Sequence, residues 1–440
     1  MANKLRTPER IELQEYGTPV VRRAVDLDLH ALGEANKRWK KALGLSNEPI
    51  RVEEIGNGLI KLRAEAVTGV IRIGNTDIEI APKFLNADGG NWQTILWRIL
   101  TVVEGGHLDD TLTSAHNLAS LSLPDLLAEI FLSSYTKGTS CGLPRSYKEE
   151  QASGQTLRGR LDTSRLGEWV SQPWIVPYIS DLLTDDTTLA RLLRWAAECL
   201  TATVKSPQRA RAMQKIAAEL SHVGRRPPHL LDAQRITIGT QYRGLKAAKM
   251  VGVLLLEGAG VNHASGDHAL SGFLWNSDVI YENYVYWLCR RAASKRGYRI
   301  NKGLIKFGEV IIGDGRKLET TPDVVFRDSQ GLPVAVTDSK YKRLGSRPKS
   351  PDTYQVLTAG HVLGCPRVSL TYPVAAHREP TVWLVPSALG GSPIELTALP
   401  LNLMGLVSPE GPAILTEAII AWLDGALTTH TVESASAQSS

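Results

Sequence analysis

The feature that most constrains the fold is a pair of short β-rich runs. They are Thr321-Pro322-Asp323-Val324-Val325-Phe326 and Val334-Ala335-Val336-Thr337-Asp338-Ser339-Lys340-Tyr341-Lys342, with a polar stretch from Arg327 to Pro333 between them. Clustered valines and the intervening Gln330-Gly331 predict an antiparallel hairpin that turns near that pair. Folded there, the chain brings Asp323 opposite Asp338. Side chains alternate faces along a strand, so Asp338 and Lys340 share a face while Ser339 is expected to point into the opposite layer. Two carboxylates and an ammonium therefore converge at one end of the hairpin.

Carboxylates that close repel each other, and one of them takes up a proton unless a cation lies between them. A magnesium ion suits such a pair, because it takes one or two carboxylates together with water and phosphate oxygens; the Ser339 carbonyl offers a further oxygen. On this reading Lys340 orients or activates an attacking water and offsets charge on a phosphoryl transition state. The other reading is a surface hairpin with an ordinary Asp/Lys pair, and these residues alone do not decide between the two.

The neighbouring segments add to the first reading. Ser277 to Leu288 has Tyr281, Tyr284, Val285 and Leu288 at the spacing of one helix face, which predicts an amphipathic helix with Glu282 beside its buried stripe. Glu282 is thus a candidate third acid, or else a first-turn acid that favours the helix N-terminus, with Ser277 or Asp278 as cap. Downstream, Asp352 to Leu357 opens another helix after a loop that holds Pro348 and Pro351. There Gln355 is placed to support Lys340 or a phosphate, or to lie on a solvated face. Lys340, Lys342, Arg343, Arg347 and Lys349 crowd just after the second run, where a phosphate backbone would pass; Lys342 and Arg343 are the candidate DNA contacts.

These segments resemble the PD-(D/E)XK nucleases, and within them the McrC family, the nuclease subunits of McrBC modification-dependent restriction systems. The resemblance extends to Ile11-Glu12-Leu13-Gln14-Glu15-Tyr16-Gly17, to Val67 to Gly74 with Ile78-Glu79-Ile80-Ala81-Pro82-Lys83-Phe84, and to Leu157-Arg158-Gly159-Arg160-Leu161-Asp162. It spans most of residues 11 to 400. Tyr281-Glu282 stands where the family usually has Phe-Glu, and Ala359 where related nucleases often carry a tyrosine four residues after the glutamine. The resemblance implies a magnesium-dependent endodeoxyribonuclease, with manganese able to substitute. It assigns Asp323, Asp338 and Glu282 to the metal, Lys340 to the water and transition state, and Gln355 to an auxiliary role. It also implies a separate McrB-like AAA+ GTPase hexamer as partner, which recognises modified DNA and translocates while this chain stimulates it and cuts. A non-catalytic adaptor with a nuclease-like fold and a stand-alone RecB-like nuclease are the alternatives.

At 440 residues, 43% of them hydrophobic, the chain is long enough for a multi-domain α/β protein. The expected organisation has a β-rich N-terminal partner-docking domain over 1–92 and a mainly helical region over 93–265. A PD-(D/E)XK-like mixed sheet flanked by helices follows over 266–425, then a disordered tail over 426–440. Within the first domain a charged helix is predicted from Leu29 to Leu43, and Arg22, Arg23, Lys61 and Arg63 are undistinguished candidates for partner contact. In the second, helices are predicted at Trp92–Val103, Leu123–Tyr135, Thr188–Val204, Gln208–Leu220 and Gln241–Glu257, with Arg145 to Pro177 more extended. Gly258 to Gly272 reads as the connection to the last domain.

Cys141, Cys199, Cys289 and Cys365 are widely spaced with no CxxC pair, so neither a zinc site nor a disulfide framework is expected, and a reducing cytoplasm is. No apolar run has the length of a transmembrane helix, and Met1 to Arg10 is charged rather than signal-like. A net charge of +5 identifies no partner by itself. No G-x-x-x-x-G-K-[ST] occurs, so no nucleotide site is expected in this chain, in keeping with a separate GTPase. His263, Asp267 and His268 lack the fixed spacing of a zinc site, and Gly313 to Arg316 reads as a turn.

Overall fold

The computed structural model describes residues 9–73, 76–85, 92–103, 121–140, 142–258, 261–263, 270–303, 305–308, 318–386 and 393–426. The expectations for Asp267, His268, Gly313 to Arg316 and the tail beyond residue 426 lie outside the described residues. The chain divides into two compact units, one formed by residues 1–121 together with 274–440, the other by residues 122–273. The β-rich beginning of the chain and its C-terminal sheet, expected as separate domains, thus belong to one unit.

The discontinuous unit starts with Glu9–Gln14, which lies parallel to Thr76–Ala81; that strand in turn pairs antiparallel with Val67–Ile73. Beside them, Leu59–Ala64 is the middle strand of a second sheet between Val20–Arg23 and Ile50–Gly56. The turn Gly56-Asn57-Gly58 has φ of 89°, 52° and 69°, a left-handed run that glycine and asparagine tolerate and branched residues do not. Helix Leu29–Ala42 starts where the Asp28 carboxylate accepts the Ala31 N–H at 2.9 Å, and it buries Leu32, Ala35, Asn36 and Trp39.

The larger sheet of this unit has six strands in the order Arg299–Asn301, Val324–Arg327, Pro333–Ser339, Arg367–Val374, Ile394–Asn402, Thr381–Val385. The predicted hairpin forms its second and third strands, with Val324 opposite Thr337, Val325 opposite Val336 and Phe326 opposite Ala335. Its turn is built by Asp328, whose carboxylate accepts the N–H groups of Gln330 and Leu332 at 2.9 Å each, with Gly331 at φ 86°. Pro333–Ser339 then runs parallel to Arg367–Val374, which runs parallel to Ile394–Asn402. Strands at the centre of such a sheet are covered on both faces and read as near-continuous apolar runs.

The two coverings differ. Val325, Val336, Val368, Leu370 and Leu396 form one core cluster with Val356 and Ala359 of helix Ser350–Leu363. On the alternate register Phe326 meets Trp422 of helix Gly411–Leu423 edge-on, ring centroids 5.9 Å apart, and that helix packs along helix Ser277–Arg296. Tyr281, Tyr284, Val285 and Leu288 are buried as the spacing predicts. The helix cap is Asn276, whose side chain accepts the N–H groups of Asp278 and Val279, rather than Ser277 or Asp278.

The second unit is mostly helical, with Leu123–Gly138, Thr188–Thr203, Pro207–Glu219 and Lys246–Glu257 close to the predicted positions and a short Leu230–Arg235 in addition. Its extended stretch is a three-stranded sheet of Ser146–Gly154, Val176–Thr184 and Arg160–Leu161, interrupted by the helix Leu166–Ser171. The expected connection from Gly258 to Gly272 carries a short antiparallel ladder of Val261–His263 with residues 270–272.

Phe326 is fully buried, so Phe326→Ala should cost about 3–5 kcal/mol. This would appear as a lower urea midpoint; a variant with the parental midpoint would show that the Phe326–Trp422 contact contributes nothing to the sheet's stability.

Candidate active site

The hairpin ladder ends at Val324 opposite Thr337, and one step further Asp323 faces Asp338. Asp323 is held from the other strand: one carboxylate oxygen accepts the Ser339 N–H at 2.7 Å and, more closely, the Ser339 hydroxyl. Ser339 therefore does not turn away from the pair, as simple alternation predicts. At the strand end its side chain reaches back across the hairpin.

Asp338 is 3% exposed and forms a close ion pair with the Lys340 ammonium. Lys340 Nζ also donates to Gln355 Oε1 at 3.1 Å and lies 3.9 Å from an oxygen of Asp352. Asp352, buried in the first turn of helix Ser350–Leu363, accepts from Lys342 Nζ at 2.9 and 3.1 Å. Burial and the facing Asp323 carboxylate push the Asp338 carboxyl up to about 6 despite the Lys340 ammonium. Arg343 is exposed and lies next to Lys342 in the chain.

Around this pair is a cleft of about 180 Å³ lined by Glu282, Asp323, Asp338, Lys340 and Gln355, with Asp278 at its edge. The structure thus brings all five candidate site residues to one place. They do not all interact. The Glu282 carboxylate, expected at the metal, forms a close ion pair with Lys302 instead. Asp338 and Lys340 follow Val336 in strand register and share the face of helix Ser350–Leu363, whereas Glu282 comes from the helix beyond the sheet's other face. Among the described residues no three His, Cys, Asp or Glu side chains gather closely enough to hold an ion.

The donor set at the hairpin end still fits a hard divalent cation. Asp323 and Asp338 are two carboxylates held face to face, and the pair resists full ionisation; a doubly charged ion with oxygen preference removes that conflict and completes its shell with water and phosphate.

Four further residues of this neighbourhood were not among the candidate site residues. Asp352 organises both lysines. Glu15 is 1% exposed; it accepts the Tyr341 hydroxyl at 2.7 Å and the Lys83 N–H at 3.2 Å. Lys83 Nζ stands 3.8 Å from the centroid of the Tyr341 ring. The signal for Glu15 was in the strand itself, since Ile11, Leu13 and Glu15 share a face by period two and all three are buried. Burial raises the Glu15 carboxyl to about 7, against the pull of Lys83 and Tyr341.

With the geometry established, the comparisons place the chain. The profile of the McrBC family, described as "McrBC 5-methylcytosine restriction system component", matches residues 62–373. The fold is of the mixed α/β class. The chain belongs to the McrBC family. A chain in the half-complex of Thermococcus gammatolerans McrB AAA+ hexamers with bound McrC is similar in fold at 16% identity and a TM-score of 0.60, covering 93% of this chain and 99% of its own length. A chain of the T. gammatolerans McrBC complex matches at 18% identity and a TM-score of 0.42, over 64% of this chain and 88% of its own. No curated protein matches.

Glu15 also makes a prediction about stability. Its folded-state pKa, about 7, lies above the usual 4.5, so the folded chain holds a proton that the unfolded chain releases. The resulting stabilisation is complete below pH 4.5 and is lost as pH rises towards 7, by at most about 3 kcal/mol. Glu15→Gln, neutral throughout, should flatten the fall in urea midpoint between about pH 5 and pH 8. Equal slopes for parent and variant would show that Glu15 does not titrate in this window.

Proposed function

We propose that this chain is the McrC-type nuclease subunit of a modification-dependent restriction system. It hydrolyses DNA phosphodiester bonds with magnesium and stimulates an McrB-like AAA+ GTPase that recognises modified DNA and translocates. The observation that carries the reading is the Asp323–Asp338 pair, half-buried and buried, with Lys340 beside it, in one cleft of a chain that belongs to the McrBC family. The partner is suggested by the similar fold from the assembly of McrB AAA+ hexamers with bound McrC.

Asp323 and Asp338 would hold magnesium, which when bound supplies charge neutralisation at the phosphate and acidifies a water. Ser339 fixes the orientation of Asp323, so that its second carboxylate oxygen faces a defined direction. Gln355 and Asp338 each take one donor of the Lys340 ammonium, which leaves the third to orient the water or to meet charge that develops on the phosphoryl oxygens. Asp352 anchors Lys342, and with exposed Arg343 this presents a basic approach for a phosphate backbone. The water adds to phosphorus and its proton passes to solvent, while the P–O bond to the leaving sugar oxygen breaks and that oxygen takes up a proton from solvent. One strand end then carries the phosphate and the other a hydroxyl.

Asp338 must be ionised to act as a ligand, and without an ion its carboxyl titrates near pH 6. Cleavage at limiting magnesium should therefore rise as pH increases through about 6 and level off above it, with excess magnesium shifting the rise to lower pH. A rate independent of pH from 5 to 7.5 at limiting magnesium would exclude Asp338 from the metal site.

The assignment itself is tested with methylated and unmethylated plasmid, GTP, magnesium and the McrB-like partner. Asp338→Ala should slow cleavage by at least about 1,000-fold, roughly 4 kcal/mol, while stimulation of the partner's GTP hydrolysis persists. Cutting at the parental rate would remove Asp338 from the chemistry. A parent that stimulates GTP hydrolysis and never cuts would be an adaptor, and one that cuts without GTP a free nuclease.

A further inference from the structure

The cleft holds Lys340 on a segment that the sheet no longer grips. Ser339 is the last residue of its strand, Lys340 N–H makes a final bond to the Thr371 carbonyl at 2.9 Å, and Lys342 N–H turns back to the Lys340 carbonyl at 2.7 Å. From residue 340 to residue 351 a single residue is buried, Tyr341 at 8% exposure; the next is Asp352. Whatever fixes Tyr341 therefore fixes the backbone from which the lysine extends.

Tyr341 packs on Tyr281 of helix Ser277–Arg296, ring centroids 5.6 Å apart, and its further partners come from the other end of the sequence. Its hydroxyl donates to Glu15 at 2.7 Å, its ring lies under the Lys83 ammonium at 3.8 Å, and Phe84 meets it edge-on at 5.2 Å. Glu15 is itself fastened, because its N–H donates to the Ala81 carbonyl and the next N–H, of Tyr16, to the Ala64 carbonyl, both at 2.9 Å. We propose that Glu15 and Tyr341 are positioning residues for Lys340, through which the amino-terminal β-region sets the geometry of the cleavage site. The proposal rests on the nuclease reading of the cleft.

The choice of groups argues for this role. A phenylalanine at 341 would fill the same space, and an apolar residue at 15 would avoid the cost of burying a carboxylate. The hydroxyl and the carboxylate together add direction: a buried hydrogen bond of fixed length locks the ring against sliding in its apolar pocket, and a reactive group needs such support to stay within a fraction of an ångström.

The test uses the full chain with its GTPase partner and modified DNA. Tyr341→Phe should lower kcat about tenfold with KM for DNA changed by less than about twofold, at a urea midpoint near the parent's. Glu15→Leu should match it, and the double variant should be no slower than either single one, because both remove one interaction. Glu15→Gln, which keeps an acceptor for the hydroxyl, should retain most of the activity. Parental kcat in Tyr341→Phe, or additive losses in the double variant, would overturn the proposal. A second readout does not need cleavage: after reductive ¹³C-methylation, the dimethyl-Lys340 resonance, assigned with Lys340→Arg, should move in Tyr341→Phe. An unmoved resonance sinks the positioning role; a moved resonance in a parent that never cuts DNA supports it and sinks the nuclease reading alone.

Discussion

Two like charges forced together at the end of a buried strand govern this unit of the protein. Unit charges a few ångströms apart near a protein surface repel by several kcal/mol, and Asp338 is almost wholly out of water. The arrangement persists because the surroundings offset it from several directions. Ser339 binds Asp323 with two donors, and Lys340 lies against Asp338. The sheet supplies the rigidity: Pro333–Ser339 has a paired neighbour on each side and helix Ser350–Leu363 over one face, so the pair cannot separate without unpairing a central strand. A cost in stability is retained at the place where a cation would relieve it.

The parts of this site that were legible in the sequence are local ones. The hairpin follows from period-two valines and a Gly-containing turn, and it fixes the relation of Asp323, Asp338 and Lys340 within fewer than twenty residues. The buried stripe of the helix from Ser277 was equally plain. What the sequence does not show depends on residues far away. Glu282 has its acid at the right point of the helix, yet its partner is Lys302, on the chain segment that leads from the edge strand. Tyr341 and Glu15 are 326 positions apart, and no local pattern relates them, although alternation alone puts Glu15 on the buried face. The division of the chain into units was hidden for the same reason: a composition shift near residue 92 marks a change of secondary structure, whereas a compact unit is defined by contacts between the two ends of the chain.

Three acids around the cleft are each paired with a lysine. Asp338 has Lys340, Asp352 has Lys342 and Glu282 has Lys302. Asp323 differs. Among the described residues no lysine or arginine pairs with it, and its partners are the neutral donors of Ser339. On the proposed nuclease reading, this asymmetry favours Asp323 over the three paired acids as the place for an added positive charge. A divalent ion placed near Glu282 or Asp352 would compete with an ammonium already there, but beside Asp323 it meets a carboxylate with no cation to displace. Asp338, the nearest acid, is already drawn towards one cation and needs only to be shared. On the proposed nuclease reading, an ion shared by the two carboxylates would loosen the Lys340–Asp338 pair, while Gln355 would still hold the ammonium.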